Sequence, residues 1–244
     1  MQESTPQSET NLTVSNPLQA ASEIFYHPRA VFNALSVKDN WSWIPFILVL
    51  AVSAVPVYLH FNIVDFEWYR VALATMQSPE GSPAEIEALS NNITFGMTQL
   101  ITLLSIALGV PIFMVLLAGY FTLWTRNDEK SIHGFTDWYG ATWWMAMPSI
   151  INALLACLYL MTQEAGTEIS QSALAPLSVA FAFGTEMTDK WYGMLSSIRL
   201  DTFWTMMLAA ICLNSWTNFS MTKAIVVAAI PNTLIWTLTF LYLM

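Results

Sequence analysis

The residues able to do chemistry in this chain are few and widely spaced. Its three histidines, His27, His60 and His133, lie far apart, and none has a second histidine one helical turn away to make the paired imidazoles of a zinc site. His60 with Asp65 and Glu67 is the nearest approach to a ligand set, and ordinary polarity at the end of an apolar run accounts for it better. Cys157 and Cys212 fall inside apolar runs without a C-x-x-C pair and read as small packing residues. No H-E-x-x-H, G-x-S-x-G, G-x-x-x-x-G-K-[ST] or G-x-G-x-x-G occurs, so the signatures of zinc hydrolysis, serine acyl transfer and nucleotide binding are missing. No catalytic residue, metal or cofactor is expected.

Inside the apolar runs the polar groups are amides. Asn152, Asn214 and Asn232, with Gln99, are the deepest. A polar side chain in hydrocarbon costs free energy and turns toward the bundle interior, where an amide can bond across helices. Pro148 and Pro231 free backbone carbonyls in the same runs. Two readings follow: Pro148, Asn152, Asn214, Pro231 and Asn232 serve helix packing, or they line a central polar pocket that binds a small solute. None is ionisable, which counts against a proton relay. Small and weakly polar residues also share helical faces: Thr98, Thr102, Ser105 and Gly109 in one run, Ala141, Met145, Pro148 and Asn152 in another, Ala224, Ala228 and Asn232 in a third. Such spacing lets backbones approach.

The ionisable groups stand at the ends of the runs. Asp201 begins one of them, where a carboxylate can cap a helix and complement its dipole. Lys and Arg close to a span hold that side in the cytoplasm. With five spans, Arg29, Lys38, Arg126, Lys130 and Lys223 fall on one side and Arg70, Lys190 and Arg199 on the other, five against three. The N-terminus is therefore expected inside. Six spans would divide the bases six against two, but only if 172–184, 13 residues with a central proline, crossed the bilayer. Segments that short are more often interfacial or re-entrant.

These residues need a membrane to position them. The chain is 55% hydrophobic and 10% charged, where a soluble domain carries charge on roughly a quarter of its residues. A net charge of −9 with no cluster of Lys and Arg argues against nucleic acid. Residues 1–17 are polar, with too little apolar surface to offset ordering, and read as a disordered tail rather than a cleaved signal. Residues 18–40 show apolar positions at helical spacing, broken at Pro28. They predict two short amphipathic helices lying in the headgroup boundary or against the bundle. Residues 41–244 then hold spans near 43–63, 94–124, 138–161, 200–216 and 221–244. At 1.5 Å per residue the second reaches about 46 Å against a hydrocarbon core of about 30 Å, so it should tilt, protrude or bend at Gly109-Val110-Pro111. The expected fold is all-α, a polytopic transmembrane bundle of five spans, with six possible.

The order of these signals resembles the Yip family, five-span membrane proteins named for interaction with Ypt/Rab GTPases, and its bacterial branch in particular. The resemblance rests on Ile24-Phe25 followed by Pro28, Phe32 and Leu35, then Trp41 and Pro45 entering the first span. It continues through Gly134-Phe135 ahead of a span with Met147-Pro148-Ser149, then Leu200-Asp201-Thr202-Phe203-Trp204, and Lys223-Ala224 opening the last span. Eukaryotic relatives have a longer cytosolic N-terminal region with an Asp-Leu-Tyr-Gly-Pro motif. That motif is missing here, so the Rab-binding role is not carried over. What the resemblance implies is a multi-pass protein of the bacterial inner membrane.

Together these readings favour a non-enzymatic scaffold or adaptor whose partners are the lipid bilayer and other membrane proteins or a second copy of itself. A small-solute transporter or channel using the asparagine and proline positions is the alternative. An enzyme acting on lipid would require a tight cluster of Asp, Glu or His.

Overall fold

The computed structural model describes residues 14–244, so most of the polar tail expected over 1–17 lies outside the described residues. The side-chain oxygen of Asn16 accepts from the Gln19 amide at 2.8 Å, and Pro17 fills the first helical position of α1 (Pro17–Glu23). Pro28 opens α2 (Pro28–Leu35) in the same way. α3 (Trp43–Ile63) is the first span and keeps Pro56 buried inside it. The connection that follows holds two helices. Asp65 caps α4 (Phe66–Gln77) by accepting from the amides of Glu67 and Trp68, and a capping box of Ser82 and Glu85 opens α5 (Pro83–Asn92).

The long second run is one continuous helix of 31 residues, Phe95–Thr125. It divides into α6 (Phe95–Leu104), a π turn at Ser105–Gly109 and α7 (Val110–Thr125). The irregularity lies beside Pro111, whose ring lacks a donor and crowds the carbonyl four residues back; a π turn relieves that crowding. The hydroxyls of Thr98, Thr102 and Ser105 each donate to a carbonyl one turn back, at 2.8 Å, so this stripe bonds to its own helix.

The third span, Phe135–Leu160, is broken at 146–148 into α8 (Phe135–Met145) and α9 (Ser149–Leu160). Across the break the amides of Met147, Ser149 and Ile151 each donate three residues back, to Trp144, Ala146 and Pro148. Tightened turns thus replace the bond that Pro148 cannot make. Residues 161–199 carry a 3₁₀ turn, Gln171–Leu174, and two short helices, α10 (Val179–Ala182) and α11 (Tyr192–Ser197). The segment 172–184 therefore folds back without crossing, and Ser172, Ala173, Ser178 and Ala180 are buried. α12 (Leu200–Trp216) and α13 (Met221–Leu243) complete the bundle, with Pro231 inside α13.

Four of these helices are long and apolar enough to cross a membrane: Trp43–Ile63, Phe95–Thr125, Phe135–Leu160 and Met221–Leu243. The fifth predicted span, α12, has 17 residues and is about 26 Å long. It is compatible with a five-span bundle because it packs among the others, on α13, α2, α8 and α9. α3 packs on α9 and α7 on α8, and the hydroxyl of Tyr120 in α7 donates to Val227 O in α13 at 2.8 Å. The amphipathic pair settles against the bundle. Ile24, Val31 and Phe32 are fully buried, and Phe25 meets Trp204 edge to face.

Contacts at helix ends sort the chain into two ends. The starts of α3, α8 and α13 and the finish of α7 and α12 gather at one, together with Arg29, Lys38, Arg126, Lys130 and Lys223. At the other, the Gly166 amide donates to Ile63 O, that of Leu200 to Leu177 O, and Lys190 Nζ to Leu243 O. Each end has its own apolar core. Trp138, Trp144, Leu208 and Trp216 belong to the first, and Val57, Phe61, Tyr69, Leu160 and Tyr192 to the second.

Candidate functional site

The basic end is fastened by polar contacts between segments far apart in the chain. Arg29 Nη2 donates to Asn214 Oδ1 at 2.9 Å, and Asn214 Nδ2 donates to Phe219 O at 2.8 Å. Lys130 Nζ donates to the carbonyls of Ser215 and Thr217, at 2.9 and 3.4 Å, where the last turn of α12 leaves carbonyls without helical partners and its dipole favours a cation. Asp128 takes the Asn218 amide on both carboxylate oxygens, and Lys223 Nζ stands 3.4 Å above the Phe219 ring. Arg126, at the C-cap of α7, is exposed.

Beside these contacts lies a cavity of about 760 Å³ between the α2–α3 linker, the start of α8 and the end of α12. Its inner wall is aromatic: Phe46, Tyr139, Trp143 and Trp216. Its rim carries Lys38, Asp39, Asn40 and Ser42. His133 stacks on Trp216 with ring centres 3.9 Å apart, and its Nδ1 is 3.8 Å from Asp137 Oδ2. Burial pushes the His133 imidazole below its ordinary 6.5, and the Asp137 carboxylate pulls the other way. Asp137 Oδ2 also accepts from the Gly134 amide at 2.8 Å, closing the first turn of α8.

The three asparagines are used separately. Asn152, buried in α9 beyond the buried Pro148, donates to Leu174 O at 3.0 Å and accepts from the Leu177 amide at 3.3 Å, holding the turn of the folded-back segment. Asn214 is committed at the basic end. Asn232 is half-buried in mid-α13, one residue after Pro231. No hydrogen bond joins any two of the three among the described residues. Asp201 is buried in the first turn of α12, but its carboxylate is held by Arg199 through Nε at 2.9 Å and through Nη2, and no backbone amide is capped by it.

The family model of the Yip1 domain matches residues 22–244, from the end of α1 through α13. The chain belongs to the Yip1 domain family. No curated protein and no solved structure matches it.

At the opposite end of this Yip1 domain a second cavity, of about 690 Å³, is lined by Trp68, Thr75, Glu168, Ser172 and Glu186 among others. Near it the second apolar core buries His60, whose Nε2 meets Ile169 O at 3.1 Å, and Tyr69, whose hydroxyl is pushed up to about 12 mainly by burial, with Tyr192 adding to it. His60 is thus engaged with a backbone carbonyl. Among the described residues no group of three or more His, Cys, Asp or Glu could hold a metal ion. Sequence reasoning weighed His133 only as a metal ligand and missed Asp128 and the stacking of His133 on Trp216 at the basic end. The aromatic, polar and charged residues clustered at the run ends, Trp216 with Asn218-Phe219 and Asp128 with Lys130, were the available signal.

Proposed function

We propose that this Yip1-domain protein is a non-enzymatic scaffold or adaptor of the bacterial inner membrane. It binds other membrane proteins through its outer helices and holds its N-terminus in the cytoplasm. The observation that carries this reading is the Phe95–Thr125 helix. Only 6% of its most apolar stretch is buried within the chain, against 56% for Phe135–Leu160. Leu104, Leu108, Ile112, Leu116 and Leu123 are all exposed on it. A long apolar helix left at the edge of a bundle offers a surface that lipid or another membrane helix can cover. The use of Asn152 and Asn214 as internal fasteners supports a load-bearing frame, and the five bases at one end support the orientation. A photo-crosslinker at Ile112 or Leu116, activated in intact membranes, is expected to give discrete protein adducts. Adducts to lipid alone would count against the reading.

A small-solute transporter is the second reading, favoured by the two cavities at opposite ends with the Pro148 break between them. Trp144, Met145, Met147 and Leu208 are buried in the apolar core of the basic end. Flux into liposomes that Asn152→Leu abolishes while thermal stability is kept would promote this reading over the scaffold.

A further inference from the structure

We propose that the cavity at the basic end binds the headgroup of a phospholipid carrying both a phosphate and an ammonium group. Its place in the fold puts it at headgroup depth. Trp43, the first residue of a span, lines it and is 62% exposed, and Ile132 on the same rim is 85% exposed. Apolar side chains open to the surrounding medium at that level give an amphiphile a lateral way in. A volume of about 760 Å³ suits a headgroup with the upper part of its chains.

The polar groups of the rim are free to bind. The side chains of Lys38, Asp39, Asn40 and Ser42 make no hydrogen bond or ion pair among the described residues. Asn40 also holds the left-handed conformation, φ 64°, the one non-glycine residue to do so among the described residues. That turn brings the four side chains onto the rim. Deeper in the wall, Trp143 is 1% exposed and its Nε1 has no acceptor among the described residues. That N–H is closed off from the cavity by its neighbours, so the rim carries the polar recognition.

Charge selects the ligand class. The cavity holds one cation, Lys38, and two carboxylates, Asp39 and Asp137, while His133 is kept toward its neutral form by burial. An anionic headgroup meets repulsion from both carboxylates, and a purely cationic ligand leaves Lys38 unmatched. A phosphate taken by Lys38, with an ammonium shared by Asp39 and Asp137, meets every charge of the lining. Trp43 and Tyr139 line the same cavity and give the chains apolar surface.

Native mass spectrometry tests this on the full chain, delipidated in detergent and titrated separately with phosphatidylethanolamine, phosphatidylcholine and phosphatidylglycerol. At least one zwitterionic lipid is expected to bind about tenfold tighter than phosphatidylglycerol, the ratio that a gain of one matched charge pair readily supplies. Lys38→Gln combined with Asp39→Asn, at exposed positions, is expected to bring that ratio within about twofold at unchanged Tm. Ethanolamine above choline means the ammonium is read by hydrogen bonds; equality means it is read by charge alone. Either supports the proposal. Equal or tighter phosphatidylglycerol, or a preference that survives the double substitution, overturns it. No protein partner is present in this titration, so its failure is distinct from failure of the scaffold reading.

Discussion

Trp216 Nε1 donates to the carbonyl oxygen of Phe32 at 2.8 Å, a buried bond across 184 residues of chain. It ties α2 to the last turn of α12, and the same indole stacks on His133 and tilts against Trp138. The amphipathic pair is therefore a wedge held in the bundle by a directional bond as well as by the burial of Ile24 and Phe32. Trp216→Phe retains most of the ring and removes the donor. It is expected to cost ~1–2 kcal/mol and to speed amide hydrogen exchange in α2. Trp216→Ala also leaves a cavity and should cost ~3–5 kcal/mol. Thermal unfolding and exchange in detergent check both, and unchanged exchange in the Phe variant would contradict the wedge.

Asn214 joins Arg29 to the α12–α13 turn with both ends of its amide. Asn214→Leu leaves the Phe219 carbonyl and the Arg29 guanidinium without this partner, at ~1–3 kcal/mol. Arg29 is exposed and can turn to water, so Arg29→Gln alone should cost under ~1 kcal/mol. A double-mutant cycle measures their coupling. A sum of the single effects equal to the double, within about 0.3 kcal/mol, would mean that the two residues do not act together.

His133 makes stability depend on pH. Its folded-state value lies below the ordinary 6.5 because burial disfavours the charged ring. The unfolded chain therefore binds the proton more readily. The stabilising contribution is whole above 6.5 and is lost as pH falls from there through the folded-state value. Asp137, the carboxylate facing the ring, limits the shift without reversing it. Tm of the native chain is expected to decline between about pH 7 and pH 5, and His133→Gln should flatten that part of the profile. Identical slopes in the two proteins would remove His133 as the cause.

The spans were legible because bilayer thickness demands long apolar runs whatever their neighbours, and the Pro148 break and the irregularity beside Pro111 follow from one missing donor each. α4 and α5 were passed over although Asp65 and Ser82-Pro83-Ala84-Glu85 carry helix-start chemistry, since an apolar scan does not see short polar helices outside the core. The fastening of Asn214 was hidden for another reason. Its partners, Arg29 and Phe219, are set by how two segments meet in space, and nothing local to Asn214 distinguishes an amide that bonds a loop from one that lines a pocket. The cavity at the basic end is of the same kind, built from a linker, a helix start and a helix end more than 170 residues apart in the case of Lys38 and Trp216.

Gly140 shows how closely α3 and α8 meet at that cavity. A Cβ there would stand 2.6 Å from Ser42 Oγ and 3.3 Å from Ser42 Cβ. The hydroxyl can rotate away, but the Ser42 Cβ moves only with the backbone at the start of α3. Alanine would otherwise favour the α8 helix by ~1 kcal/mol over glycine. The crowding is expected to outweigh that gain, so Gly140→Ala should lower stability by ~1–2 kcal/mol. Ser42→Gly removes both crowding atoms, and in that background Gly140→Ala should raise Tm instead. The reversal of sign is what close approach requires, because a change in helix propensity alone would act in the same direction in both backgrounds.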